Sequence, residues 1–169
     1  MPFDDGAFDV ATTAFVLQLV PSSHRALREA RRVLAPGGTI ATLTWIAGGS
    51  PLAADDVYDD VLEAYGYEPR PHGGGDDPPR PEAAAARLRR AGFERASVRG
   101  DELDHAFTPA SFLGFLAEFD DEDQFATMDA ATREALEADL LARLRALPAD
   151  GLRLRLPIAY ATARRPARP

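Results

Sequence analysis

The sequence predicts an α/β protein, with a parallel β-α-β unit at its N-terminus and an antiparallel strand at its C-terminus. Three observations carry that prediction. Phe8 to Leu17 is almost continuously apolar, which fits a strand covered on both faces. A helical period follows, then a second β-branched run from Thr39 to Ile46. Near the far end, "LRLRLPIAYATARR" alternates apolar and polar residues, as a strand with one wetter face does.

Each element has a local cause. Asp4, Asp5 and Gly6 form a turn signal ahead of the first strand. Ser22 and Ser23 offer a helix N-cap after Pro21. From His24, Leu27, Ala30 and Leu34, with Val33 beside them, share one face, and Pro36-Gly37-Gly38 is the expected helix stop. Strand, helix and strand within about 40 residues imply parallel strands joined by a right-handed crossover.

Residues 52–65 predict a helix with Val57, Tyr58, Val61, Leu62 and Tyr65 as its apolar stripe. In "GYEPRPHGGGDDPPRP", residues 66–81, nine of sixteen positions are Gly or Pro, too many for a regular element. That loop is either a surface flap over an active-site end or a plain solvated connection. Pro81 starts a short helix with Ala84, Ala85, Leu88 and Ala91 inward, and Phe93 to Phe107 reads as extended. Thr108-Pro109 is a helix start, after which Phe112, Phe115, Leu116 and Phe119 repeat at core spacing. "DDED" at 120–123 reads as a solvated connection. The longest helix is expected from Met128 to Leu147, with Leu136, Leu140, Leu144 and Leu147 on one side. In the last strand Leu152, Leu154, Leu156, Ile158 and Tyr160 are expected to face one way. Pro157 suggests a place near the sheet edge.

Composition excludes several function classes. The 169 residues are 46% hydrophobic and can bury about 70% of their unfolded surface as one domain. A net charge of −8, spread along the chain, argues against nucleic acid or anionic membrane as the main partner. No cysteine and no lysine occur, which removes thiolate, Schiff-base and phosphate-loop lysine chemistry. His24, His72 and His105 have no metal-ligand spacing, so no metal is expected. No signal-peptide pattern and no long apolar run is present, and a cytoplasmic protein is the plain expectation.

Ligands of open α/β sheets bind beyond the carboxyl ends of the strands. Here those ends are Thr13 to Gln18 and Thr44 to Gly48, with Thr13, Gln18, Thr44 and Trp45 as their polar or aromatic groups. The residues themselves carry the reading no further than an α/β domain with a small-molecule cleft.

A resemblance takes it further. "PFDDGAFD", "FVLQLVP", "ALREARRVLAPGG" and "TIATLTW", in that order, resemble the class I S-adenosylmethionine-dependent methyltransferases, specifically their type 11 group. "RLRRAGFERASV" and "LRLPIAYATARR" are similar, more loosely, to that family's last helix-to-strand passage and closing antiparallel strand. The likeness is to the C-terminal portion, so it implies an incomplete Rossmann-like methyltransferase sheet and a truncated single domain over 1–169. Residues 108–147 then form a helical insertion. Phe8 to Leu17 corresponds to the family's central fourth strand, which pairs with its first strand, and Thr39 to Ile46 corresponds to its fifth.

The implied cofactor is S-adenosylmethionine and the implied reaction is methyl transfer to a small-molecule acceptor, impaired in this chain alone. The family's glycine-rich turn and ribose-binding acid have no counterpart here. The cofactor residues implied by the resemblance are Pro2 and Phe3 beside adenine, and Thr13, Ala14, Phe15 and Gln18 along the methionine end. No catalytic residue is implied. The apolar first strand would present an unpaired edge blunted only by Asp9, which predicts poor solubility, partial unfolding or a homodimer through that strand. A non-catalytic interaction or oligomerisation module derived from a methyltransferase is the alternative.

Overall fold

A computed structural model describes residues 1–69, 78, 80–148 and 150–167. Most of the 66–81 loop lies outside the described residues. The elements run β1 (Phe8–Ala14), α1 (Ser23–Val33), β2 (Leu34–Trp45), α2 (Ala53–Ala64), α3 (Pro81–Arg90), β3 (Glu94–Ala106), α4 (Pro109–Phe115), α5 (Glu122–Thr127), α6 (Ala130–Arg145) and β4 (Arg153–Arg164). A π-helical turn, Leu116–Asp120, sits between α4 and α5. The fold is α/β with a mixed four-stranded sheet in the order β1-β2-β4-β3.

The N-terminal unit forms as its pattern dictates. β1 pairs with β2 in parallel, from Val10 opposite Thr39 to Ala14 opposite Leu43. Ser22 caps α1 through its hydroxyl, which accepts from Arg25 N–H, and Leu27, Ala30 and Val33 are buried. The stop is different from the one expected. α1 ends at Val33, and Pro36-Gly37-Gly38 forms an irregular start to β2, where the register slips between Phe8 and Val10. Gly38 is required there, because a Cβ would meet Ala35 O at 2.8 Å and Asp9 O at 3.0 Å. The helix end is instead held by Arg165, whose Nη1 donates to the carbonyls of Arg31 at 3.2 Å, Arg32 at 2.9 Å and Leu34. A cation there satisfies orphan carbonyls and complements the helix dipole.

β1 also departs from expectation. It stops at Ala14, not Leu17, because Phe15 turns into the left-handed region at φ 55°. It is the marginal strand among the described residues, in line with the unpaired edge that the resemblance implied, and Val10 is 59% exposed although its apolar run fits cover on both faces. Among the described residues no strand lies beyond it.

β4 is antiparallel to β2, as expected, but it is interior, not near an edge. Pro157 is tolerated because it lies just past the last β2 pairing, Trp45 opposite Ile158, and contributes a carbonyl to Ile46 N–H. Ile158 and Ala159 are both buried, so the alternation changes phase there. Ala161 and Ala163 then point inward, while Tyr160 faces out beneath the Arg99 guanidinium.

The chain packs as two compact units, each with its own core. The first comprises 1–49, 73–103 and 156–169, and the second 50–72 and 104–155. Leu27, Leu34, Ile40, Leu88 and Phe93 centre the first core. In the second, Val61 and Leu62 of α2 pack with Leu136, Leu140 and Leu144 of α6 and with Phe112. Of the aromatic stripe, Phe112 and Leu116 are buried, but Phe119 is 75% exposed. The wider π-turn rotates it off the core face. Asp121, read as part of a solvated connection, is buried and accepts from the Tyr58 hydroxyl at 2.7 Å.

Candidate functional site

β1 and β2, held parallel, bring their carboxyl ends together, and the polar and aromatic groups of the first unit gather there. Because Phe15 leaves the strand with positive φ, its ring crosses to Trp45 and stacks on it, with centroids 4.9 Å apart and planes 26° apart. Its N–H still donates to Leu43 O at 2.9 Å, so the turn is anchored. Thr44, nearly fully buried, lies 3.5 Å through its hydroxyl from Gln18 Oε1. Thr42, one strand period earlier, donates to Ala161 O at 3.4 Å. Thr42 and Thr44 line a small cavity of about 10 Å³ together with Leu17, Leu27, Leu88 and the charged Arg87.

Three buried polar atoms at this end have no hydrogen-bond partner within the protein: Thr13 Oγ1, Gln18 Nε2 and Trp45 Nε1. Buried polar groups are nearly always paired, so three unsatisfied ones on neighbouring strand ends mark a place suited to a polar ligand. From Val10 to Ser23 and from Thr39 to Ala54 there is no ionisable side chain. The two strand ends themselves therefore offer neutral hydrogen-bonding groups and aromatic surface, and no proton acceptor.

The resemblance-derived residues divide by position. Thr13, Ala14, Phe15 and Gln18 lie at the carboxyl end of β1. Pro2 and Phe3 do not join them. Phe3 packs edge-on against Phe8 at 5.1 Å, and Arg32 holds its carbonyl at 2.9 Å, both at the amino end of the strand. A seven-residue strand separates the two groups by about 20 Å. Phe3, Thr13 and Ala14 share a groove of about 500 Å³ along β1, completed by Ala26 and Ala30 of α1. Thr42 was missed from sequence; its i, i+2 relation to Thr44 within an apolar strand was the available signal.

Arg32 organises the amino end of the groove. Its guanidinium pairs with Asp5 at 2.5 Å and Glu29 at 2.9 Å. The Arg32 hydrogen bond, followed by that of the terminal amino group, lowers the Glu29 carboxyl to about 2. In the second unit, Arg153 grips Asp104 through two bonds, at 2.7 and 2.6 Å, and holds its carboxyl below the usual range. Among the described residues no group of three His, Asp or Glu side chains could hold a metal ion. No described helix is long and apolar enough to cross a membrane.

The parallel unit, the closing antiparallel strand and the polar groups at the strand ends define a Rossmann-like α/β protein. Comparison with known proteins shows what the chain is similar to. Residues 1–42 match the methyltransferase domain of the type 11 group. Over 115 residues the chain is 35% identical to the ubiquinone/menaquinone biosynthesis C-methyltransferase UbiE of Brucella canis, covering 59% of this chain and 41% of that protein. The UbiE of Ectopseudomonas mendocina is 48% identical over 59 residues, 35% of this chain and 23% of its own. The chain thus spans about two fifths or less of these relatives' length.

Solved structures share the fold. The YcgJ protein of Bacillus subtilis superposes with a TM-score of 0.56 at 14% identity, covering 98% of this chain and 67% of its own. A proposed methyltransferase of Bacillus halodurans gives 0.52 at 18%, covering 98% and 68%. In sequence the first quarter of the chain is similar to the methyltransferase domain of the type 11 group, and nearly all of its length shares the fold of these solved structures.

Proposed function

We propose that the protein serves S-adenosylmethionine-dependent methyl transfer to a small molecule, with the β1-α1-β2 unit supplying one wall of the donor site. One coincidence carries the reading: the family-matched segment, residues 1–42, covers β1, α1 and most of β2, and the carboxyl ends of these two strands hold buried polar atoms without a partner within the protein. When bound, the donor supplies an electrophilic methyl group on a sulfonium.

The residues present fit part of that donor. Thr13 Oγ1 can accept from an ammonium, and Gln18 Nε2 can donate to a carboxylate, the two polar groups of its methionine end. The Phe15–Trp45 pair gives the site an aromatic wall. With no ionisable group on either strand end, this wall acts by holding and orienting and takes no proton from the acceptor. It contributes only part of the contacts, so this chain alone is expected to bind weakly and transfer slowly.

Titration calorimetry with S-adenosylhomocysteine tests this. The expected result is saturable binding, with a dissociation constant on the order of 1 mM, weakened severalfold by Thr13→Val with Gln18→Ala. Absence of saturable heat, or binding indifferent to both substitutions, would remove the proposal.

The second reading is a non-catalytic interaction module. The exposed rings of Phe115 and Phe119 in the second unit favour it.

A further inference from the structure

We propose that Thr44 is the positioning residue of the candidate site, and that the small cavity beside it binds one water, which fixes the direction in which Thr44 donates. The water site stands on the packing of the first unit alone. Its use at the methyl-donor end rests on the function proposed above.

The cavity meets the conditions for a single buried water. Its volume of about 10 Å³ is the room that one water needs, and no larger ligand fits. Leu17, Leu27 and Leu88 close it, but its walls are not all apolar. Thr42 and Thr44, one strand period apart on the same face of β2, and Arg87 of α3 bring polar groups to it. Both threonines are nearly fully buried, 5% and 3% exposed. An apolar space of this size stays dry, whereas one bordered by polar groups holds a water with about three hydrogen bonds.

Donors and acceptors set the direction of those bonds. A threonine hydroxyl has one proton and two lone pairs. Thr42 directs its proton to Ala161 O at 3.4 Å, and Thr44 directs its own to Gln18 Oε1 at 3.5 Å. What both hydroxyls have left is acceptor capacity. Arg87 has five N–H donors and no acceptor. A water between them accepts from Arg87 and donates one proton to each threonine. The two protein contacts are long, so neither locks its hydroxyl by itself. The water adds the constraint, because a hydroxyl that accepts from the cavity keeps its proton turned away from it.

The consequence reaches Gln18. Because Thr44 donates, the Gln18 amide sits with Oε1 toward Thr44, and Nε2, which has no partner within the protein, is left for another acceptor. With the amide turned over, Oε1 would take that place and repel a carboxylate. Thr44 therefore decides whether Gln18 meets the carboxylate of the donor's methionine end as a donor or as an acceptor. Valine at this position keeps the branched shape and has no proton to give.

Three measurements on the full chain test this. A high-resolution crystal structure is expected to show one water hydrogen-bonded to Thr42 Oγ1, Thr44 Oγ1 and Arg87. In ¹⁵N spectra the Gln18 side-chain amide is expected to give one sharp pair of resonances in the parent and in Thr44→Ser, and a broadened or doubled pair in Thr44→Val. Calorimetric affinity for S-adenosylhomocysteine is expected to fall about two- to tenfold in Thr44→Val and to return to within about twofold of the parent in Thr44→Ser. A cavity that is dry or filled by a neighbouring side chain would overturn the proposal. So would a Gln18 pair indifferent to Thr44→Val, or equal affinity of that variant and a parent that binds. The crystal structure needs no variant, so a Thr44→Val chain that fails to fold does not shelter the proposal. A parent that does not bind at all removes the donor-site reading instead, since the water and the Gln18 resonances are observed without ligand.

Discussion

Phe15 stacks on Trp45 only because Phe15 has left the β conformation, at φ 55°, and that single residue both ends β1 and closes the aromatic wall of the candidate site. A non-glycine residue there carries a backbone cost of about 1–2 kcal/mol, which the ring contact offsets. Removing the ring should therefore expose the cost. Phe15→Ala is expected to lose about 1–3 kcal/mol in denaturant unfolding. Phe15→Gly should be less damaging than alanine by about 1 kcal/mol, since glycine accepts positive φ freely. Equal losses, or glycine worse than alanine, would mean that the turn is not strained.

Trp45→Phe separates packing from hydrogen bonding. It keeps an aromatic face for Phe15 but removes Nε1, which has no partner within the protein. Stability is expected to stay within about 1 kcal/mol of the parent, because no internal hydrogen bond is lost. A larger loss would point to a protein partner for that indole nitrogen.

Arg165 is the stop of α1. Arg165→Ala leaves the carbonyls of Arg31, Arg32 and Leu34 without their common donor, at an expected cost of about 1.5–3 kcal/mol. Arg165→Lys should recover part of it, since an ammonium keeps the charge at the helix end but sits on a more flexible stem and is more strongly hydrated than the guanidinium nitrogen it replaces. Chemical denaturation of the three proteins gives the comparison directly.

In the second unit the buried pair Tyr58 and Asp121 ties α2 to the turn before α5. Tyr58→Phe keeps the ring against Phe125 and removes the 2.7 Å bond. The expected loss is about 1–3 kcal/mol by thermal or denaturant unfolding. No loss would mean that the hydroxyl is dispensable there.

Acid sensitivity has a defined sign. Glu29 is lowered from 4.5 to about 2 in the folded chain, first by Arg32 and then by the terminal amino group. Between those values the unfolded state binds more protons, so the contribution is present above pH 4.5 and disappears as pH falls toward 2. Asp104, lowered by Arg153, acts in the same direction. Glu29→Gln should flatten the stability profile over that interval and leave its shape near neutrality unchanged. An identical acid limb in the variant would exclude Glu29 as a contributor.

Local physics made much of this fold legible from sequence. The β-α-β unit, the Ser22 cap and the Leu136, Leu140 and Leu144 face of α6 each follow from residue pattern. What escaped depended on neighbours. Pro157 suggested an edge, yet β4 is interior because the proline falls just beyond the β2 pairing. The π-turn moved Phe119 off its expected face, and Tyr58 drew Asp121 inside. At the candidate site, strand ends located Thr13, Gln18, Thr44 and Trp45, but which atoms lack partners is a property of packing that spacing does not encode.

The most direct test of the donor-site account uses the chain's single tryptophan. In a ¹⁵N-labelled sample Trp45 gives one indole N–H resonance, to be followed as S-adenosylhomocysteine is added. The account predicts progressive, saturable shifts of that resonance and of the amides from Thr13 to Gln18, with those of α6 unmoved. A silent indole and silent amides at millimolar ligand, or shifts confined to the second unit, would contradict it.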